Sequence, residues 1–319
     1  MILSASRRTD IPNYYSEWLE ERFREGFLLV RNPMNYHQVS RISLEAKLID
    51  GIVFWTKNPR NMFPRLEFFD RWPYYFQFTL TGYGCEIEPG LPDKKTVLIP
   101  AFQELADRIG SSRVIWRYDP IFLSSRYTVE YHEKAFGQIA RELCGYTSRV
   151  VISFLDVYTK TKQNMAGIEF RLPSREEMYE LGERLARTAK ECGMEIVTCC
   201  EEIDLAPLGI RHGACIDRGL IEEMLGCRIN GKKDIGQRSS CGCLESVEVG
   251  AYHTCRNGCR YCYANRSETM VKMMCGKYDP HSPFLCGKSE AEDIVTDRRM
   301  RSLKELQMSL ELIPESREV

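Results

Sequence analysis

The chain has 319 residues, 43% of them hydrophobic, enough to bury a sizeable core as one large α/β domain or one domain with a small appendage. Its 44 basic and 45 acidic side chains leave a net charge of −1, which excludes a global basic field for nucleic acid or an anionic membrane, although a local basic groove stays open. No apolar run reaches bilayer-spanning length, and MILSASRRTDIP lacks the long apolar stretch of a signal peptide, so a cytoplasmic protein without membrane contact is expected.

Six short β-rich apolar runs recur along the chain, and most are followed by a helical pattern. The first, Ile2–Ala5, ends in SRRTDIP; a helix follows with Tyr15, Trp18, Leu19 and Phe23 on one face and Gly26 as its stop. The second strand is Gly51–Trp55, running into TKNP, and the third is Tyr74–Leu80, ending in TGYG. A helix through Phe102, Leu105 and Ile109 leads to a fourth strand, Arg113–Tyr118, which ends in DPIF. After a helix over Val129–Leu143, stopped by Gly145, comes the fifth strand, Arg149–Leu155. The next helix starts at Ser174 with Glu177 three residues on, a capping box, and ends before Gly193. The sixth strand, Glu195–Cys200, runs into EEIDL, and a short helix is expected over Asp217–Leu225.

One strand per β-α step argues for parallel strands and right-handed crossovers. The expected fold is therefore α/β, a (β/α)6-like partial TIM barrel spanning residues 1–225, with a doubly wound sheet as the competitor. Barrel enzymes gather their reactive groups where the strands end. Those ends carry Asp10, Lys57, Thr79, Arg117, Asp119 and Glu202. Asp10 and Glu202 are the candidates for moving protons, given hydrogen-bond reach to a substrate.

From Gly226 the periodicity fades. Residues 226–286 are rich in Gly, Cys and charge and read as an irregular segment organised by ligands; 287–319 form a charged tail, partly helical at most. Of the 14 cysteines, only Cys85 and Cys144 precede Cys192. A large chain without secretion signals is a poor setting for a disulfide framework, so clustering favours metal or iron–sulfur ligation. Cys85, Cys144, Cys192 and Cys227 read as ordinary buried thiols.

The string TCRNGCRYCYAN sets Cys255, Cys259 and Cys262 in a C-x3-C-x2-C array. Three thiolates on one short loop can hold three irons of a 4Fe–4S cube and leave the fourth iron open for chemistry. Zinc is the alternative: Cys259 and Cys262 with Cys241 and Cys243 would close a tetrahedral four-thiolate site. A second constellation, Cys200, Cys215, Cys241 and Cys243, would complete another four-thiolate site, either a second 4Fe–4S cluster or a structural zinc. For the adjacent Cys199 and Cys200, strand alternation turns one to the core and one to the rim.

The cysteine spacing resembles that of radical S-adenosylmethionine (SAM) enzymes. That resemblance implies SAM bound at the open iron, Tyr261 against its adenine, and a reductant such as ferredoxin or flavodoxin; Lys57, Thr79, Arg117 and Asp119 are the rim candidates for cofactor contacts. GC.YCYA is similar to the cluster loop of the spore photoproduct lyase branch, where a TIM-like barrel backs the cluster. The strings SRRTDIP, VFWTKNP, WRYDP, QR..CGC and TC..GC.YCYAN together resemble the domain of unknown function 1848 family, which implies a cysteine-rich metal-binding C-terminal segment. Here the cluster loop lies at the far end of the chain rather than after the first strand, so it has to fold back over the rim near Arg7–Asp10. No Gly-Gly-Glu string follows the second strand; Lys57 and Asn58 stand there. The rival function is a zinc-stabilised barrel binding nucleic acid or another partner, with Arg256, Arg260, Arg266, Lys272 and Lys277 beside Tyr261, Tyr263 and Tyr278.

Overall fold

A computed structural model describes residues 1–305. Its strands are β1 (Ile2–Ala5), β2 (Phe27–Asn32), β3 (Asn35–Ser43), β4 (Gly51–Thr56), β5 (Tyr74–Thr79), β6 (Val114–Ile121), β7 (Arg149–Phe154), β8 (Glu195–Cys199), β9 (Arg211–Gly213), β10 (Val247–Glu248) and β11 (Ile294–Asp297). Eight of them form one sheet in the order β10-β1-β4-β5-β6-β7-β8-β9, parallel at every pairing. The edge strands β9 and β10 do not pair with each other. The fold is thus mixed α/β with helices around an open eight-stranded parallel sheet. The six strands read from the sequence gain two short ones, β9 from within residues 1–225 and β10 from the cysteine-rich segment. Residues 226–286 are therefore tied into the main sheet, with Val247 and Glu248 in register beside Leu3 and Ser4.

Alternation along the strands explains both faces. Leu3, Phe54, Phe76, Trp116 and Ile152 pack outward into the large core beneath the helices. Ile2, Val53, Tyr75, Ile115, Val151 and Val197 point the other way and form one inner layer with Leu220 and Ile221 of the helix Arg218–Leu225. Two residues further along the same strands the inner face turns polar, with Ser4, Gln77, Arg117 and Ser153 all buried. The next step reaches the rim. The sheet therefore presents a sealed apolar floor and a chemically loaded mouth, because side chains on one face recur every second residue.

The long helices form where their apolar spacing predicts them: Ser16–Glu25 ends at Gly26 in the left-handed conformation, and Val129–Glu142 is capped by Thr128. Arg175–Glu191 carries the expected capping box between Ser174 and Glu177. Ser174→Ala should cost about 1 kcal/mol, measured as a small shift in the denaturation midpoint with no effect on the distant cavity.

A second sheet, β11-β3-β2, was not anticipated. Its hairpin signal was present in the alternating run NYHQVSRIS beside Asn32–Pro33. The tail also docks within the described residues: β11 lies parallel to β3, and Ser302 Oγ and Leu303 N donate to Asp50 at 2.5 and 2.7 Å. The partial helicity expected of the tail is not found in its described part, which carries β11 instead; residues 306–319 lie outside the described residues. Another helix, Glu268–Cys275, starts at Ser267 inside the segment read as irregular. No helix among the described residues is long and apolar enough to cross a membrane.

Candidate metal centre and reaction cavity

A cavity of about 470 Å³ opens at the C-terminal ends of the strands, and Cys255, Cys259 and Cys262 line it together with Asp10, Lys57, Thr79, Arg117, Asp119 and Tyr261. Cys199, Cys200, Cys215, Cys241 and Cys243 line the same space. The loop 254–265 thus returns across the rim by β1. Tyr263 OH donates to Arg7 O at 2.9 Å, Tyr15 OH to Thr254 O at 2.6 Å, and Asn164 Nδ2 to Cys262 O at 2.8 Å. Gly90 matters here, since a Cβ on it would lie 2.6 Å from the Arg256 and Asn257 carbonyl oxygens. Its amide donates to Asn257 O at 3.0 Å, so the loop can press this close only against a residue without a side chain.

Asp10 is the staple of this arrangement. Its carboxylate accepts from Thr56 Oγ1 at 2.7 Å, Lys57 N at 2.8 Å, Asn13 N at 3.1 Å and Asn257 Nδ2 at 3.1 Å. One buried side chain therefore joins the end of β1, the end of β4 and the cysteine loop. Burial raises its pKa, against the opposing pull of those donors. With both oxygens occupied, the proton-moving role expected of Asp10 gives way to a positioning role.

Beside the loop lies a buried ion cluster. Lys57 Nζ donates to Glu88 Oε1 and to Tyr261 OH, each at 2.8 Å, while Lys94 Nζ pairs with the other Glu88 oxygen. Thr81 Oγ1 donates to Glu88 Oε2 at 3.0 Å. Burial opposes the Glu88 charge, but the two ammonium groups overcome it and hold its pKa down at about 2. Burial likewise opposes the Lys57 charge, and Glu88 with Cys259 raises it nonetheless. Glu88 escaped the sequence reading because CEIEPG looks like an ordinary polar loop; the Gly-rich turn before it was the available signal. Tyr261 is drawn into this cluster through its hydroxyl.

The three loop thiols differ from surface cysteines. Burial first of all raises the pKa of Cys255, Cys259 and Cys262, and Cys259 reaches about 12. Such thiols ionise only when a cationic group compensates. Ala264 N donates to Cys262 Sγ at 3.3 Å, the kind of contact that supports a ligating sulfur. Among the described residues, the three-ligand group with all its ligand atoms within 4.8 Å of one another is His37, Glu290 and Glu292 at the surface, and no trio of thiols qualifies. Thiolates about 2.3 Å from one zinc ion crowd closer than this, whereas the corners of a cube spread them apart. Three buried thiols on one loop at one cavity are the kind of donor set an iron–sulfur cluster takes.

Other expected residues fall into place less well. Glu202 is exposed and lies outside the cavity; Cys200 adopts a left-handed φ of 59°, which breaks the alternation on which its inward direction depended. Its neighbour Glu201 is half-buried and accepts from Phe154 N at 2.8 Å, with burial raising its pKa to about 7. Arg117 turns to Cys215 Sγ at 2.9 Å and to Asp119 Oδ2 at 2.5 Å. Cys85 and Cys144 are exposed and Cys227 is half-buried, so of the four thiols expected in the core only Cys192 is buried. Of the three aromatics expected to form a stacking surface, Tyr278 packs edge-on against Tyr15 at 5.1 Å and Tyr261 OH is bonded to Lys57, while Tyr263 stays 42% exposed.

A family model described as Domain of unknown function (DUF1848) matches residues 2–264. No curated protein matches. Among solved structures, a chain described as a candidate alpha-L-fucosidase from Bacteroides thetaiotaomicron VPI-5482 is similar at 11% identity, covering 70% of this chain and 81% of its own, with a TM-score of 0.28.

Proposed function

The chain belongs to the DUF1848 family, and on that premise we propose that it is an iron–sulfur enzyme of radical SAM type built on a partial (β/α) barrel. The observation that carries this reading is the meeting of Cys255, Cys259 and Cys262 with the charged strand ends at one cavity. These three residues would hold a 4Fe–4S cluster and leave one iron free of protein ligands. When bound and reduced, that cluster supplies reductive cleavage of SAM to a 5′-deoxyadenosyl radical.

The chain's own residues have definable tasks. Asp10 and Asn257 anchor the loop to the rim, and Gly90 lets it seat. Lys57 and Thr79 line the cavity as polar contacts for the cofactor, with Tyr261 as an aromatic wall whose hydroxyl is already held. Trp55, Phe154 and Leu155 line the same cavity and keep water from a reactive intermediate. A small one-electron donor such as ferredoxin or flavodoxin would serve as reductant.

The test is anaerobic purification and reconstitution, followed by visible absorbance, iron and sulfide analysis, and incubation with SAM and dithionite. A brown protein that releases 5′-deoxyadenosine is the expected result. Colourless protein carrying stoichiometric zinc would overturn the reading.

A further inference from the structure

Away from the cluster loop, polar side chains converge on one thiol of the same cavity. Tyr75 OH and Gln77 Nε2, both from β5, donate to Cys215 O at 2.6 and 2.9 Å. Arg117 of β6 is paired with Asp119 through Nε and Nη2, and its Nη1 donates to Cys215 Sγ at 2.9 Å. Backbone and sulfur of Cys215 are therefore both held, whereas a thiol that only fills a core needs no such partners. The neighbouring Ile216 N donates to Cys243 Sγ at 3.4 Å. Cys199 ends β8 opposite Gly213 of β9. A Cβ on Gly213 would stand 2.7 Å from Val197 Cγ2, so glycine lets the two strands approach. Cys199 Sγ then lies 2.9 Å from Cys215 Sγ, while Cys200 contacts Ser240 Oγ at 3.4 Å.

The separation tells what this pair can do. Thiolates about 2.3 Å from one zinc ion stand roughly 3.8 Å from each other, and no trio of thiols among the described residues lies within 4.8 Å of one another. Two sulfurs at 2.9 Å with no third near both are a pair, joined by an S–H···S hydrogen bond. Closing the gap to a disulfide of about 2.05 Å asks for less than about 1 Å of movement. Both residues line the cavity, Cys199 half-buried and Cys215 buried, so an incoming molecule meets Cys199 first. A catalytic pair of this kind suits a chain that lacks a disulfide framework.

We propose that Cys199 and Cys215 are a redox-active dithiol of the cavity, which reduces a small disulfide bound there. The Cys199 thiolate attacks one sulfur of R–S–S–R, forming Cys199–S–S–R and releasing RS⁻. Cys215 then attacks Cys199 Sγ, forms the Cys199–Cys215 bond and releases the second RS⁻. The two thiol protons go to the two leaving groups, so the dithiol and R–S–S–R become one protein disulfide and two R–SH. Arg117 keeps Cys215 Sγ in place through both steps. This site goes beyond the reading above and stands whether or not the outer loop holds a cluster.

The experiment uses the full chain, purified without oxygen, reduced and then freed of reductant. It is incubated with bis(2-hydroxyethyl) disulfide, quenched with acid, alkylated and mapped by peptide mass spectrometry, with circular dichroism as the folding control. The expected product is a Cys199–Cys215 disulfide that dithiothreitol opens again. C215S should instead accumulate the mixed disulfide on Cys199, and C199S should slow modification of Cys215 about tenfold or more. Wild-type protein that keeps both thiols free, or stops at the mixed disulfide on Cys199, overturns the proposal. Preferential linkage of Cys243 to Cys215 or to Cys241 does the same. A metal ion that is retained in C255A/C259A/C262A and shields Cys199 and Cys215 from alkylation also overturns it.

Discussion

Asp10→Ala should lower stability by about 3–5 kcal/mol and release the cysteine loop from the rim. The magnitude follows from the bonds lost. Each buried donor left without an acceptor costs about 1–3 kcal/mol, and Asp10 serves four: Asn13 N, Thr56 Oγ1, Lys57 N and Asn257 Nδ2. These losses are coupled, so their sum overstates the effect. The Asn257→Ala variant removes one of the four bonds and should cost about 1–2 kcal/mol. Denaturant titration measures the stability, and hydrogen exchange over residues 254–265 measures the loop. Faster exchange there in both variants, with reduced iron loading, is expected. Unchanged exchange in Asp10→Ala would mean that the loop is held by its other contacts and that Asp10 serves only the start of the helix Ile11–Tyr14.

Glu88→Gln should cost about 3 kcal/mol at pH 7 by leaving the Lys57 and Lys94 ammonium groups buried without a counter-charge. The pH dependence gives an independent check. Glu88 has a folded pKa of about 2, below its ordinary value of 4.5. A depressed carboxylate contributes stability that is fully present above 4.5 and is lost as pH falls toward 2. The shift corresponds to about 3 kcal/mol. The gap between wild type and Glu88→Gln should therefore be widest at neutral pH and close on acidification through that window. A gap that stays constant from pH 7 to pH 3 would show that shape, not charge, accounts for the loss. Tyr261 should also lose its hydroxyl anchor in this variant, since Lys57 is freed to turn away.

Much of the architecture was legible because it depends on local periodicity. Ile2–Ala5, Gly51–Thr56 and Arg149–Phe154 are apolar runs ended by polar residues, and their strands fall within a residue of the expected bounds. Ser174 and Glu177 mark a helix start through contacts three residues apart, so nothing distant is needed to find it. β9 and β10 offer no such pattern; Arg211–Gly213 and Val247–Glu248 are strands only because β8 and β1 present open edges beside them. The hairpin of β2 and β3 did carry an alternating pattern, which the surrounding helix signals obscured.

The site divides along the same line. Three cysteines on one short loop and charged residues after the strands can be read directly from the chain, because ligand spacing and strand ends are local properties. Folding in three dimensions set the staple from Asp10 to Asn257 and the pairing of Glu88 with Lys57. It also decided that Cys199, not Cys200, faces the inner thiols, and that all of them border one cavity. The reason is physical: one residue's offset in a strand reverses a side chain's direction, and a contact such as Asp10 with Asn257 closes 247 residues of chain. Such closures are chosen by the burial and hydrogen bonding of the whole fold, and no window of sequence contains them.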